Sequence, residues 1–218
     1  MDDHSTKRQV QVGTTRLAGV LRRPEVPIGL VIFAHGAGSS HLSPRNNHVA
    51  EALGQRGIAT LLFDLLTEEE ALDRRNVFDI PLLGGRMVEA VDWVVGQPVL
   101  ADLPVALFGS STGAAAALVA AAQAPDRFAS VVSRGGRPDL AGQVLPKVRA
   151  PVLMIVGGHD GPVIDLNETA AAQMTCPHEI QIVPGATHLF EEPGTLDRVI
   201  ALAADWFETH FKAEGGQP

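Results

Sequence analysis

Pro104-Val105-Ala106-Leu107-Phe108-Gly109-Ser110-Ser111-Thr112-Gly113-Ala114 is the stretch on which the fold turns. An apolar run of strand character enters it, an alanine-rich run of helical character leaves it, and the join between them has the pattern G-x-S-x-G. A strand that passes into a helix through such a join lifts the central serine, here Ser111, above the sheet edge in a strained conformation. The glycines on either side let strand and helix approach closely, and the helix turns the positive end of its dipole toward the serine. Glycine is common in this chain (22 of 218 residues), so the pattern alone is weak; the strand before it and the helix after it give it weight.

The flanking sequence repeats the same alternation. Leu30–Ala34, Ile58–Phe63, Val105–Phe108, Ser130–Val132, Val152–Val156 and Glu179–Val183 read as strands, most of them too apolar to have a wet face. Between them lie a helical stretch after Ser43 with Val49, Ala52 and Leu53 on one face, a second over Leu82–Val95, and an amphipathic closing helix over Leu196–Phe211. Arg8–Val12 and Arg16–Leu21 read as a hairpin around Gly13, and the charged segment Thr67–Asn76 as a surface excursion. This order specifies an α/β fold: a mostly parallel sheet covered by helices on both faces, in one domain over residues 1–212 with a flexible tail over 213–218.

Composition bounds the partners. A hydrophobic fraction of 45% with 19% charged residues is that of a folded globular chain. The net charge of −8 argues against nucleic acid as a main partner, because phosphate binding needs clustered Lys and Arg. The single cysteine, Cys176, excludes an internal disulfide framework and reads as an inert packing residue. No run approaches the roughly 20 apolar residues of a membrane span, and the N-terminus has no signal-peptide character, so the expectation is a cytoplasmic protein without a membrane partner.

In a parallel sheet covered on both sides, ligands bind just beyond the carboxyl ends of the strands. Working residues are therefore sought directly after strand-like runs. Ser111 passes, as do Asp160 in Gly157-Gly158-His159-Asp160-Gly161 and His188 in Pro184-Gly185-Ala186-Thr187-His188. A serine hydroxyl needs a histidine to take its proton, and the histidine needs a carboxylate to fix its tautomer. Asp165 and Asp139 are rivals for the acid; Asp165 reads better as a helix N-cap. The loop His35-Gly36-Ala37-Gly38, after the strand ending at Ala34, offers an oxyanion hole formed by the backbone N–H groups of Ala37 and Thr112, with His35 orienting the loop. It lacks the Lys and the spacing of a phosphate-binding glycine loop.

With these residues in place the chain resembles the α/β-hydrolase superfamily, and within it the dienelactone hydrolase-like family. The resemblance runs from His35-Gly36-Ala37-Gly38 through Gly109-Ser110-Ser111-Thr112-Gly113 and Gly157-Gly158-His159-Asp160 to His188-Leu189-Phe190-Glu191-Glu192-Pro193-Gly194. It implies about eight strands, little or no cap, and no cofactor or metal. Dienelactone hydrolases proper place a cysteine at the nucleophile position where this chain has Ser111, so the ester-cleaving machinery carries over and the lactone substrate does not.

The expected activity is that of a serine esterase acting on a small carboxylic ester or lactone through Ser111, His188 and Asp160 and an acyl-enzyme, as a monomer or homodimer. The alternatives are an acyltransferase or perhydrolase on the same triad, and a non-catalytic hydrolase-like binding protein. The short segment Ser133–Ala150 leaves no room for a deep lipid-covering cap. Two arginines are candidates for substrate binding. Arg134 follows a strand end and either holds a substrate carboxylate or pairs with Glu191 or Glu192, and Arg45 sits in Ser43-Pro44-Arg45-Asn46, where Ser43 also reads as a helix N-cap.

Overall fold

The apolar runs become the inner strands of one eight-stranded sheet. The computed structural model describes residues 6–214. The strands are β1 (Thr6–Val12), β2 (Leu17–Arg23), β3 (Gly29–Ala34), β4 (Ile58–Phe63), β5 (Val105–Ser110), β6 (Val131–Arg134), β7 (Val152–Gly157) and β8 (His178–Val183). They lie side by side in the order β1-β2-β4-β3-β5-β6-β7-β8. β1 and β2 pair antiparallel, as the hairpin reading expects, and β2 also joins β4 antiparallel; every pair from β4 to β8 is parallel. Every residue of β3, β4, β5, β6 and β7 is buried, which is why their sequences run apolar without alternation.

The helices are α1 (Pro44–Gln55), α2 (Glu68–Ala71), α3 (Arg74–Val77), α4 (Ile80–Val95), α5 (Thr112–Gln123), α6 (Gly161–Ala171) and α7 (Thr195–Glu214). Val49 and Leu53 of α1 and Val199, Ala203 and Phe207 of α7 pack on one face of the sheet. Met87 and Val91 of α4, the alanines of α5 and Ala170 of α6 pack on the other. Ser43 caps α1 by accepting the Asn46 N–H at 3.3 Å, with Pro44 in the first turn. The buried face of α1 carries Val49, Ala50 and Leu53; Ala52, expected on it, is only half-buried.

Local sequence accounts for three further departures. The charged excursion after β4 is not extended, because Thr67 and Glu70 form a reciprocal capping box and Asp73 caps the next turn, so α2 and α3 form. Asp165 is not an N-cap: α6 begins at Gly161 and Asp165 lies on its exposed side. Helix α7 runs through Ala213 and Glu214, two residues into the stretch expected as a tail, and residues 215–218 lie outside the described residues. Between β6 and β7 the chain makes only a 3-10 segment, Pro138–Lys147.

The strand order places the site. The chain goes from β3 sideways to β4, then crosses back over β3 to lay down β5 on its other side. Loops leaving β3 and β5 therefore diverge, and the crevice between their carboxyl ends is the topological switch point where ligands bind in such sheets. The loop after β3 is His35–Gly38, and the turn after β5 carries Ser111.

Candidate active site

Ser111 has φ 51° and ψ −123°, a backbone conformation that side-chain-bearing residues rarely adopt. The two glycines of the pattern make it reachable. A Cβ on Gly109 would stand 2.4 Å from Ala114 Cα, and one on Gly113 2.2 Å from Ala34 O, so no larger residue fits between β5, α5 and β3. The strained turn is pinned from both sides: the Ser111 N–H donates to Arg134 O at 3.3 Å, and Ser111 O accepts from Arg137 N at 3.0 Å and Ala114 N at 3.1 Å. The Thr112 amide is the first of α5, where no intrahelical acceptor exists for it.

Asp160 and His188, read from different strand ends, meet. His188 Nδ1 lies 2.7 Å from Asp160 Oδ2. A carboxylate only accepts, so Nδ1 carries the proton and Nε2 is left to act as a base. Asp160 stands at the N-cap of α6, yet its side chain makes no capping hydrogen bond and is spent on the histidine instead. The turn after β6 brings the pair to the serine. A Cβ on Gly135 would lie 3.0 Å from His188 O, and Gly135 directly follows the Arg134 carbonyl that holds the Ser111 N–H. Among the described residues no hydrogen bond joins Ser111 Oγ to His188; in unliganded sites such bonds are often long and tighten when substrate binds. Asp139, the other rival acid, is engaged by Arg137 through two hydrogen bonds of 2.8 Å.

The oxyanion loop departs from expectation. The Ala37 N–H is not open: it donates to Thr112 Oγ1 at 2.9 Å. The Thr112 side chain thus reaches the place that its own amide was expected to share with Ala37. His35 fastens the loop, with Nδ1 3.0 Å from Gly36 O and Nε2 accepting the Leu65 N–H at 3.1 Å. An Nε2 that accepts has no proton, so the ring is neutral, and burial accordingly pulls its pKa below the usual histidine value.

A cavity of about 440 Å³ opens beside this loop, lined by residues 35–42 together with Asp64, Leu65 and Val77 among others. It adjoins Ser111 through Gly36, where an added Cβ would stand 3.1 Å from Ser111 Cβ. On its wall the His41 main-chain N–H donates to Asp64 Oδ1 at 2.7 Å, and His41 Nδ1 lies 2.9 Å from Asp64 Oδ2. Sequence reasoning missed this second His–Asp pair, although Asp64 directly follows β4 and meets the strand-end criterion that found Asp160.

The two arginines separate. Arg45 pairs with Glu191 at 2.7 Å, and Glu192 is taken by Thr187, so the expected alternative of an Arg134 pair with either glutamate does not form. Arg134 is 7% exposed, its Nη2 only 3.4 Å from Asn46 Oδ1, and its Nε and Nη1 find no partner among the described residues. Burial and the neighbouring charge of Arg45 pull its pKa down to about 10, which leaves it a cation at neutral pH. It does not line the cavity.

Comparison with known proteins agrees with this architecture. Residues 27–205 match the family model described as an alpha/beta hydrolase domain. The crystal structure of a dienelactone hydrolase from Anabaena variabilis superposes with a TM-score of 0.90 at 51% identity, over 96% of this chain and 99% of that one. An alpha-beta serine hydrolase homologue from Coxiella burnetii shares the fold at a TM-score of 0.74 and 20% identity, over 94% of this chain and 97% of that one. Proteins from two strains of Mycobacterium tuberculosis, provisionally named phosphoribosyl transferases, are 56% identical over 207 residues, which is 95% of this chain. The chain spans 47% of the length of those relatives.

Proposed function

The chain belongs to the α/β-hydrolase family, in its dienelactone hydrolase-like branch, and from that footing we propose that it cleaves a small carboxylic ester or lactone by serine catalysis. The observation that carries the reading is the 2.7 Å contact of His188 with Asp160 on the sheet edge that also bears the strained Ser111. In the proposed reaction Ser111 Oγ attacks the carbonyl carbon while His188 Nε2 takes its proton, and Asp160 stabilises the imidazolium. His188 then returns the proton to the leaving oxygen. Water repeats the sequence on the acyl-serine to release the acid and restore the enzyme.

The oxyanion is held by the Thr112 amide and by the Thr112 hydroxyl. That hydroxyl accepts the Ala37 N–H, which turns its own proton outward, so Ala37 acts by orienting the hydroxyl. Arg134, a buried cation without an anion, supports a negatively charged substituent on the part of the substrate outside the cavity, and Arg45 flanks it already neutralised by Glu191. The transferase name of the mycobacterial relatives belongs to proteins of which this chain spans 47%, and the esterase reading does not draw on it.

The test is Ser111→Ala with short 4-nitrophenyl esters and a fluorophosphonate label. Loss of about 10⁴-fold or more in kcat together with loss of labelling is expected, with a similar loss of rate for Asp160→Asn. Full activity in the serine variant would remove the assignment. Partitioning of the acyl group to an added alcohol or to peroxide in preference to water would instead make the protein an acyltransferase or perhydrolase.

A further inference from the structure

The two histidines on the cavity wall are in different states. Both ring nitrogens of His35 are occupied, one by Gly36 O and the other by the Leu65 N–H. In His41 the proton lies on Nδ1, because the partner there is a carboxylate, and the lone pair of the neutral ring is on Nε2. Among the described residues His41 Nε2 makes no hydrogen bond. The side chain is 13% exposed, and Asp64 grips both its ring and its main-chain N–H, so it is held rather than waving in solvent.

The rest of the wall defines what that nitrogen can meet. Leu65, Leu66, Val77 and Leu83 make it apolar, its charged members are Asp64 and Glu68, and among the described residues no Lys or Arg lines it. An anionic substituent would be desolvated beside two carboxylates, which is unfavourable. A neutral hydroxyl loses little and gains an acceptor. The cavity also lies on one side of the site only. Gly36 lines it beside Ser111, while neither His188 nor Asp160 does, so in the proposed reaction the leaving oxygen stays with His188 and the acyl arm takes the Gly36 side.

We propose that the cavity receives the acyl arm of the substrate and that His41 Nε2, positioned by Asp64, accepts a hydrogen bond from a hydroxyl on it, so that the preferred substrates are esters of uncharged, hydroxylated acids. The acyl assignment rests on the serine-hydrolase reading above; recognition of the hydroxyl in the cavity does not.

The experiment compares 4-nitrophenyl 3-phenylpropanoate with 4-nitrophenyl 3-(4-hydroxyphenyl)propanoate by kcat/KM, and titrates the two corresponding neutral amides calorimetrically. One neutral buried hydrogen bond predicts a preference of about five- to tenfold for the hydroxylated member in both measurements. His41→Asn keeps an N–H for Asp64 in place of Nδ1 and removes Nε2, so both ratios should fall to about one. A wild-type ratio of one, a ratio that survives His41→Asn, or a stronger preference for the 4-carboxyphenyl ester would each overturn the proposal. Should neither ester turn over, the serine-hydrolase reading fails, and the amide affinities still decide whether His41 reads a hydroxyl. Because the wild-type ratios can overturn the proposal by themselves, a variant that does not fold leaves the test intact.

Discussion

At the residue scale the most consequential contact is the 2.9 Å hydrogen bond from the Ala37 N–H to Thr112 Oγ1. In the proposed mechanism it makes the side chain of Thr112 part of the oxyanion site, whereas the amide alone would be indifferent to which residue stands there. Thr112→Val keeps the shape and the amide and removes the hydroxyl; kcat should fall by about 10²-fold with KM little changed. Thr112→Ser should retain most of the rate. An unchanged or higher kcat in the valine variant would mean that the hydroxyl only plugs the Ala37 amide. Ser111, Asp160 and His188 were legible because each lies in the segment that follows a strand, and the carboxyl ends of parallel strands share one edge of the sheet. The Thr112–Ala37 contact was not, since it depends on a side-chain rotamer across 75 residues of sequence. The second pair was missed for a different reason: Asp64 directly follows its strand, but His41 lies well past its own, inside a loop whose path no periodicity encodes.

At the scale of elements, alternation and apolarity gave the strands to within one or two residues, while faces were less readable. Helix α5 is buried on all sides from Thr112 to Ala121, so it has no polar stripe to orient it. Its packing against α4 rests on small residues, and this makes two adjacent glycines of α4 behave oppositely. Propensity alone says that alanine should stabilise at either position. At Gly84, however, a Cβ would stand 2.4 Å from Val119 Cγ1, whereas at Gly85 nothing lies within 4 Å. Gly85→Ala should therefore raise stability by about 0.5–1 kcal/mol. Gly84→Ala should lower it by about 1–3 kcal/mol, because α4 and α5 must separate. Denaturant midpoints of the two variants check the pair, and a shift of the same sign in both would show that helix propensity outweighs the contact between the helices.

At the scale of the whole molecule the question is which activity this chain owns, given relatives of about twice its length that bear a transferase name. Binding a phosphoribosyl pyrophosphate donor requires convergent cationic or N–H groups for its many phosphate charges. This chain carries a net charge of −8, and its cavity is bordered by Asp64 and Glu68 without a Lys or Arg. Of the arginines near the site, Arg45 is paired with Glu191 and Arg137 with Asp139, which leaves Arg134 as a single cation for the several charges of a pyrophosphate. A neutral ester meets none of these obstacles. The 218-residue chain should therefore hydrolyse 4-nitrophenyl acetate in a Ser111-dependent manner while releasing pyrophosphate from phosphoribosyl pyrophosphate only at the rate of the blank, across a panel of nucleobase acceptors. Both rates come from the same preparation, so an inactive sample cannot pass as a negative. Transfer above the blank that survives Ser111→Ala would place a second chemistry on this domain and return the transferase name to it.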